Sequence, residues 1–201
     1  MGADFNIRQA TAQDATSILA IYGPICESSP ISFETQSPTL NEMEGRVRKI
    51  TGFYPWLIVE KADKMLGYAY AGPHRERAAY RWAIDVAVYI HPDARRTGVG
   101  TGLYFALFEL VRAQGFYRAY AGITLPNPGS MRLHQQMGFV PIGTYHGVGF
   151  KSGKWHDVQW LEAILRSGPA EPKEPIAVSE ILSETWERAI RKGQSLMVGS
   201  H

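Results

Sequence analysis

The chain lacks the cysteines of a disulfide-bonded protein and has no long apolar run. Its 201 residues include a single cysteine, Cys26, so no internal disulfide can form and a reducing compartment is expected. Every apolar run falls short of a membrane span, and residues 1–10 contain no apolar core of a signal peptide. We therefore expect a cytoplasmic protein with no membrane partner.

Charge and histidine patterns argue against two further kinds of site. The net charge is only +2 and the arginines are scattered, which is not typical of a nucleic-acid-binding protein. The six histidines include no i, i+4 pair, and one cysteine cannot build a thiolate metal site. A Gly-x-Ser-x-Gly nucleophile elbow is also absent. We expect neither a nucleic-acid partner nor a bound metal.

Composition favours one folded domain with an appendage. Hydrophobic residues make up 45% of the chain, enough for a core over residues 1–166. Residues 167–175 are rich in proline and read as a linker. Residues 176–191 then carry apolar side chains at mostly helical spacing, which predicts an amphipathic helix that packs on its own domain or on a partner chain. The end of this 176–201 segment, from Gly193, is predicted to be disordered.

Periodicity predicts the order β-α-α-β-β-β-α-β-α-β-β, a mixed α/β plan. The first helix is expected to stop at Gly23-Pro24, because both residues interrupt helices. A long strand is predicted over Tyr80–Ile90, followed by a glycine-rich loop and a helix over Leu103–Gln114. Two closing strands are expected to flank a loop at Gly147–Trp155.

The stretch Arg95 to Gly102 links that long strand to its helix. It holds three glycines and two arginines, so outward-facing amides, a helix N-terminus and positive side chains would converge there. We predict a receptor for a phosphate or pyrophosphate. It is not a Walker loop, because no lysine follows the glycines at that spacing. Nor is it a dinucleotide fingerprint, because Leu103 stands where the third glycine belongs.

The remaining pattern, Arg-x-x-Gly-x-Gly, resembles the acetyl-CoA loop of the GNAT superfamily of N-acetyltransferases. Further blocks resemble one branch, the phosphinothricin N-acetyltransferases and their methionine sulfoximine-acetylating relatives. The blocks are Tyr68–Pro73, Ala79-Tyr80, Val88–Ile90, Arg96–Gly100, Arg132–His134, Gly138-Phe139 and the Gly-Phe-Lys-x-Gly-x-Trp-His-Asp run at 149–157. The resemblance covers about Ile7 to Leu165. It implies the GNAT acyl-CoA N-acyltransferase fold, a mixed central sheet with splayed strands flanked by helices, and a homodimer.

The resemblance also implies transfer of an acetyl group from acetyl-CoA to the primary amine of a small amino acid. An α-amine is mostly protonated at neutral pH and must lose that proton to attack a thioester. The site therefore benefits from a base near the amine and a proton donor near the departing sulfur.

Asp85 is the candidate base. A charged residue is unexpected in the apolar run Trp82 to Val88, and it shares a strand face with Ala83, Ala87 and Tyr89. The family has a glutamate here as its proposed base, so the aspartate is one methylene shorter and a water would be needed to extend its reach. The alternative is a buried carboxylate satisfied by backbone N–H groups.

His134 is the candidate donor. It lies seven residues after Asn127, at an offset where many members of the superfamily carry a tyrosine that protonates the coenzyme sulfur. An imidazole there could donate to sulfur or carry a proton. The alternative is a histidine at the edge of the core.

Other roles are carried over from the resemblance. The coenzyme arm would lie along backbone groups of the 88–90 segment, and Asn127 would either bond that arm or only cap its helix. The pyrophosphate would lie on the 96–101 segment, while Arg95 would touch a phosphate or only solvent. The coenzyme candidates are Val88, Tyr89, Ile90, Arg95, Arg96, Thr97, Gly98, Val99, Gly100, Thr101 and Asn127.

Substrate contacts are expected from a second group. Arg75 could pair bidentately with a carboxylate or phosphinate, and Lys151 is a second anion candidate. Each is alternatively an ordinary solvated cation. The substrate candidates are Phe33, Arg75, Ala78, Ala79, Tyr80 and Lys151.

Two other functions stay open from the sequence. The first is the same transfer to another amine, such as an arsenic-containing glutamate analogue, a polyamine or a peptide N-terminus. The second is a coenzyme-binding sensor without turnover, which the aspartate at position 85 and the extra C-terminal helix allow.

Overall fold

The computed structural model describes residues 5–197, which form a seven-stranded sheet in the order β1-β2-β3-β4-β5-β7-β6. Neighbouring strands are antiparallel except β4 and β5, which are parallel. The sheet is therefore mixed, as the sequence predicted. The strands are β1 Asn6–Gln9, β2 Trp56–Lys61, β3 Lys64–Pro73, β4 Ala83–Ile90, β5 Arg118–Thr124, β6 Val140–Lys151 and β7 Lys154–Ile164.

Helices cover both faces of the sheet. One apolar cluster packs Leu103 and Leu107 of α3 against the strands, and a second packs Ile18 of α1 and Val47 of α2 against the other face. Full burial of each such side chain contributes about 1.5–3 kcal/mol. The order of elements through β7 matches the prediction. The helices are α1 Ala15–Ser28, α2 Leu40–Thr51, α3 Val99–Gln114, α4 Pro128–Gln136 and α5 Ser183–Ser195. Across residues 5–197, every helix is too short or too polar to cross a membrane.

The two parallel strands separate along their length. β4 and β5 pair only over Ala83–Asp85, with Asp85 opposite Tyr120 as the last pair. Beyond that pair the strands diverge, so their facing backbone groups do not bond one another. This opening positions the candidate site.

Several predicted boundaries were wrong. Strand β4 begins at Ala83 rather than Tyr80, because Ala78–Tyr80 form a short 3-10 helix. Helix α1 continues through Pro24 to Ser28, because its buried face, which includes Tyr22 and Cys26, extends past the proline. Helix α3 begins at Val99 rather than Leu103, so two of the three glycines are helical. The expected loop at 147–155 is a hairpin in which β6 and β7 stay paired to Lys151 and Lys154.

The C-terminal segment packs on its own domain. Helix α5 begins at Ser183, later than predicted, and buries Ala189 in the cluster that surrounds α3. The preceding segment is also attached, since the indole N–H of Trp82 donates to the Lys173 carbonyl at 2.8 Å. Within the predicted disordered end, residues 193–195 are helical, and residues 198–201 lie outside the described part of the chain.

Candidate active site

The opening between β4 and β5 forms a small cavity of about 70 Å³. Its walls are the diverging strands, and side chains from α3 and α4 close its inner end. Unpaired strand backbone of this kind can bind an extended ligand through N–H and C=O groups. Val88 and Tyr89 line the cavity as expected, whereas Ile90 lies beyond it, beside Gly67 and Gly100. The lining residues are Ile31, Val86, Ala87, Val88, Tyr89, Tyr104, Ala121, Gly122, Ile123, Thr124, Asn127, Ser130 and His134.

The start of α3 has the features of an anion site. Gly98 is the N-cap residue with φ of 81°, a conformation that favours glycine, and Arg96 is also left-handed with φ of 65°. The first N–H groups of the helix have no intrahelical acceptor. Arg95 and Arg96 are exposed, and within residues 5–197 neither forms a salt bridge with a carboxylate. Amides, helix dipole and guanidinium groups can therefore hold a phosphate here.

The other loop residues have structural roles as well. Thr97 donates through Oγ1 to the Ala94 carbonyl at 2.7 Å, which closes the turn before the helix. A side chain at Gly100 would meet Leu133 of α4, and one at Gly102 would meet the Gly193 carbonyl of α5. These two glycines serve close helix packing rather than loop flexibility, while Val99 is buried and Thr101 is half-buried.

Asn127 caps helix α4. Its Oδ1 accepts a hydrogen bond from the Ser130 N–H at 3.2 Å, and the residue also lines the cavity. Its side chain is thus fixed at the point where the cavity meets the helix.

His134 is buried, and both of its ring nitrogens are occupied. Nδ1 lies 2.8 Å from the Ser130 carbonyl, and Nε2 lies 2.8 Å from the Tyr104 hydroxyl. A carbonyl only accepts, so Nδ1 carries the hydrogen and Nε2 accepts from Tyr104. Burial lowers the pKa of His134 and raises the pKa of Tyr104. The imidazole is therefore neutral, and the hydroxyl hydrogen of Tyr104 is directed at its Nε2.

Asp85 lies where β4 and β5 begin to separate. Its Oδ1 is 2.6 Å from Nδ1 of His74, the residue that follows β3. Burial raises the pKa of the Asp85 carboxyl, while the hydrogen bond with His74 and the charge of Arg75 oppose that rise. The carboxylate is thus engaged by an imidazole rather than by backbone N–H groups.

Several substrate candidates gather around His74. Arg75 donates to the His74 carbonyl at 2.8 Å and lies 5.7 Å from the Trp160 ring. Tyr80, in the short 3-10 helix Ala78–Tyr80, presents its ring edge-on to His74 with the ring centroids 5.9 Å apart. The structure therefore brings Asp85, Arg75 and Tyr80 into one cluster.

Lys151 has a different role from the one expected. Its buried Nζ donates three hydrogen bonds of 2.6 Å, to the carbonyls of Cys26, Ser32 and Glu34. All three ammonium hydrogens are used, so Lys151 is not available to an anionic substrate. Through these hydrogen bonds it instead links the end of α1 and the loop after it to the β6–β7 hairpin.

That same loop carries Phe33. The ring packs on the backbone of Gly149, where any larger residue would overlap it. Phe33 remains 39% exposed, so part of the ring can contact a ligand.

Two residues of the site were missed from the sequence. His74 reads as one residue of a polar loop, and only the pairing of β3 with β4 brings it to Asp85. Tyr104 falls on the apolar face of α3 and reads as core. The hydroxyl group of Tyr104, on an otherwise apolar face of α3, was the sequence feature that could have identified it as a site residue.

The chain is similar in sequence to known acetyltransferases. Residues 7–160 match the family model described as an acetyltransferase (GNAT) domain. A phosphinothricin N-acetyltransferase of Streptomyces viridochromogenes is 37% identical over 171 residues, covering 85% of this chain and 93% of the relative. An L-methionine sulfoximine/L-methionine sulfone acetyltransferase of Pseudomonas aeruginosa is 34% identical over 169 residues, covering 82% and 98%.

A solved structure supports the same relationship. The GNAT superfamily phosphinothricin acetyltransferase from Sinorhizobium meliloti, in complex with acetyl-CoA, superposes with a TM-score of 0.80 and 34% identity. The match covers 88% of this chain and 96% of that one. The anion site at α3 and the adjoining cavity fit a ligand that has a phosphate-bearing end and an extended arm. Among residues 5–197, no cluster of three metal-ligating side chains occurs.

Proposed function

Because the chain belongs to the GNAT acetyltransferase family and is an acetyl-CoA-dependent N-acetyltransferase, we propose that it acetylates a small amino acid such as phosphinothricin or methionine sulfoximine. The observation that carries this proposal is the opening between β4 and β5. It has a cationic helix start at one end and the Asp85–Arg75 cluster at the other. Acetylation of such compounds would detoxify them and confer resistance.

Strand β4 sets the spacing between the two ends. Asp85 and Ile90 are five positions apart, which is about 16 Å of extended chain. We assign the pyrophosphate to Arg96–Thr101, with Arg95 at its edge, and the arm to the backbone of Val88–Ile90 with Asn127. The acetyl group would then lie near Asp85 and the pair formed by Tyr104 and His134.

The acid–base groups follow from that placement. Asp85 and its hydrogen-bonded imidazole form the basic end of the site and receive the proton of the acceptor amine. Tyr104 and His134 form the donor end and supply a proton to the departing sulfur. Burial raises the pKa of Tyr104, so its hydroxyl stays protonated at neutral pH and is able to donate a hydrogen bond to the developing thiolate.

We propose that the protein recognises the amino acid through the charged groups of that substrate. Arg75 is exposed beside His74 and can pair with a carboxylate or phosphinate through two parallel N–H groups. Phe33, with Ala78, Ala79 and Tyr80, would contact the remainder of the substrate. A cationic polyamine is a poor fit to this arginine.

We further propose that the protein is a cytoplasmic homodimer. The hairpin formed by β6 and β7 exposes a run of large apolar side chains, among them Val148, Phe150 and Trp155. Clusters of this kind mark protein–protein contacts, and a second copy of this chain would cover them. The single cysteine is buried and free, which suits a reducing compartment.

A panel of acceptors tests the proposed function. Free thiol release is followed with acetyl-CoA and phosphinothricin, methionine sulfoximine, an arsenic-containing glutamate analogue, polyamines and peptides. Release with the first two and none with polyamines is the expected result. Release with a polyamine or peptide alone would move the assignment to that amine. Binding of acetyl-CoA without release for any acceptor would indicate a sensor.

A further inference from the structure

We propose that His74 is the group that removes the proton from the acceptor amine, and that Asp85 acts as its positioning partner. This proposal rests on the proposed function, because it concerns the step in which the amine becomes a nucleophile. It gives the shorter carboxylate at position 85 a partner that can reach the substrate.

The hydrogen bond between the two residues defines their roles. His74 Nδ1 lies 2.6 Å from Asp85 Oδ1. An imidazole is ordinarily more basic than a carboxyl group, so the shared hydrogen lies on Nδ1. Nε2 then carries a lone pair. Within residues 5–197 no group donates a hydrogen bond to Nε2, and this nitrogen remains accessible to solvent.

Aromatic contacts hold the imidazole ring in place. Tyr120 stacks on His74 with centroids 4.3 Å apart, and Tyr80 and Trp160 meet the ring edge-on at 5.9 and 6.3 Å. The side chain keeps 13% exposure, so the ring is fixed yet open at one edge. A base held by packing and by a hydrogen bond needs little reorganisation when a substrate arrives.

The location of Asp85 and His74 in the sheet also supports the role proposed for His74. Asp85 makes the last pair between β4 and β5, and its carboxylate already contacts His74. Within residues 5–197, Nε2 of His74 and Oδ2 of Asp85 both lack a hydrogen-bond partner, and an imidazole nitrogen is ordinarily the more basic of these two groups. His74 adjoins Arg75, the group proposed to hold the substrate anion.

Other ionisable groups surround the pair. Arg75 stabilises the ionised Asp85, while Tyr70 of β3 and Tyr120 of β5 are neutral neighbours. Glu162 of β7 accepts a hydrogen bond from Tyr120 at 3.0 Å. The positive charge formed on His74 would therefore face the Asp85 carboxylate directly.

The step balances as a proton transfer followed by acyl transfer. The Nε2 lone pair bonds to a hydrogen of the ammonium group, and the N–H electron pair stays on the amine nitrogen. That nitrogen bonds to the thioester carbonyl carbon, and the carbon–sulfur electron pair leaves with sulfur, which takes a proton from the donor end. The acylated nitrogen then releases its second proton, which replaces the one lost from the donor end. The imidazolium later returns its proton to solvent.

Three variants and one control test the proposal with phosphinothricin as acceptor and acetyl-CoA as donor. His74→Asn keeps an N–H donor toward Asp85 but removes the basic nitrogen. We expect kcat to fall by about 100-fold and its rise with pH near neutrality to disappear, with acetyl-CoA affinity unchanged within about twofold. His146→Asn disrupts a second histidine–aspartate pair, formed with Asp157 at 3.1 Å on the exposed hairpin, and should keep the wild-type pH profile.

The second variant restores a longer carboxylate. In His74→Ala/Asp85→Glu, the glutamate should reach the amine directly and recover at least tenfold of the rate lost in His74→Ala. A wild-type pH profile in His74→Asn would overturn the proposal and leave Asp85 as the direct base. Failure of the proposed function is a separate result, in which the wild-type protein itself releases no thiol with phosphinothricin.

Discussion

The hydroxyl of Tyr104 donates a hydrogen bond to Nε2 of His134 across 2.8 Å, at the inner end of the cavity between β4 and β5. Because Nδ1 of His134 already donates to the Ser130 carbonyl, the ring holds one tautomer. In this tautomer Nε2 carries no hydrogen, and the only hydrogen of the Tyr104 hydroxyl is directed at Nε2. A proton given to the coenzyme sulfur by this pair would therefore come from Tyr104, after its hydroxyl has turned away from His134.

Substitution of the pair should reduce turnover more than coenzyme binding. For Tyr104→Phe and for His134→Ala we expect kcat to fall by about 10–100-fold, because each variant removes the donor or its orientation. The dissociation constant for acetyl-CoA should change by less than about threefold. Steady-state thiol release and coenzyme titration give the two quantities. Equal losses in rate and affinity would make both residues binding groups instead.

Lys151 should contribute to stability rather than to substrate binding. Lys151→Met leaves three carbonyls without their charged donor, so we expect the free energy of unfolding to fall by about 3 kcal/mol. Urea denaturation measures the change. Lys154→Met is the matched control, since that lysine lies on the same hairpin and is exposed; its effect should stay below about 0.5 kcal/mol. Equal stability of the two variants would refute the structural role.

Helix α5 should stabilise the start of α3. Gly102→Ala places a methyl group 2.5 Å from the Gly193 carbonyl of α5, so the helices must separate, at a cost of about 1–3 kcal/mol. Gly45→Ala, in an open part of α2, should instead stabilise the protein by about 0.5–1 kcal/mol. Thermal denaturation compares them. A Gly102→Ala protein with the same melting temperature as the wild type would show that α5 does not pack against the start of α3. Residues 176–197 would then not be part of the same folded unit.

Local sequence signals predicted the order of elements and the Asn127 cap, because strand periodicity and capping act over a few residues. The start of α3 was misplaced because the glycines read as flexibility, whereas Gly100 and Gly102 allow close contact with Leu133 and with α5. Such packing depends on residues far away in sequence.

The same limit applies to the site. Asp85 was recognisable as a charge in an apolar strand, but its partner His74 was not, since their contact depends on the register of β3 against β4. The three carbonyls around Lys151 come from residues more than a hundred positions earlier. No spacing rule could have connected them.

Calorimetric titration is the most direct test of whether the start of α3 binds the pyrophosphate of acetyl-CoA. We expect one acetyl-CoA bound per chain, with affinity that weakens as salt increases. The dissociation constant should be about tenfold higher in Arg96→Ala, because one charged hydrogen-bond donor is lost. Absence of binding, or binding that is unaffected by both salt and Arg96→Ala, would show that this segment does not hold the pyrophosphate.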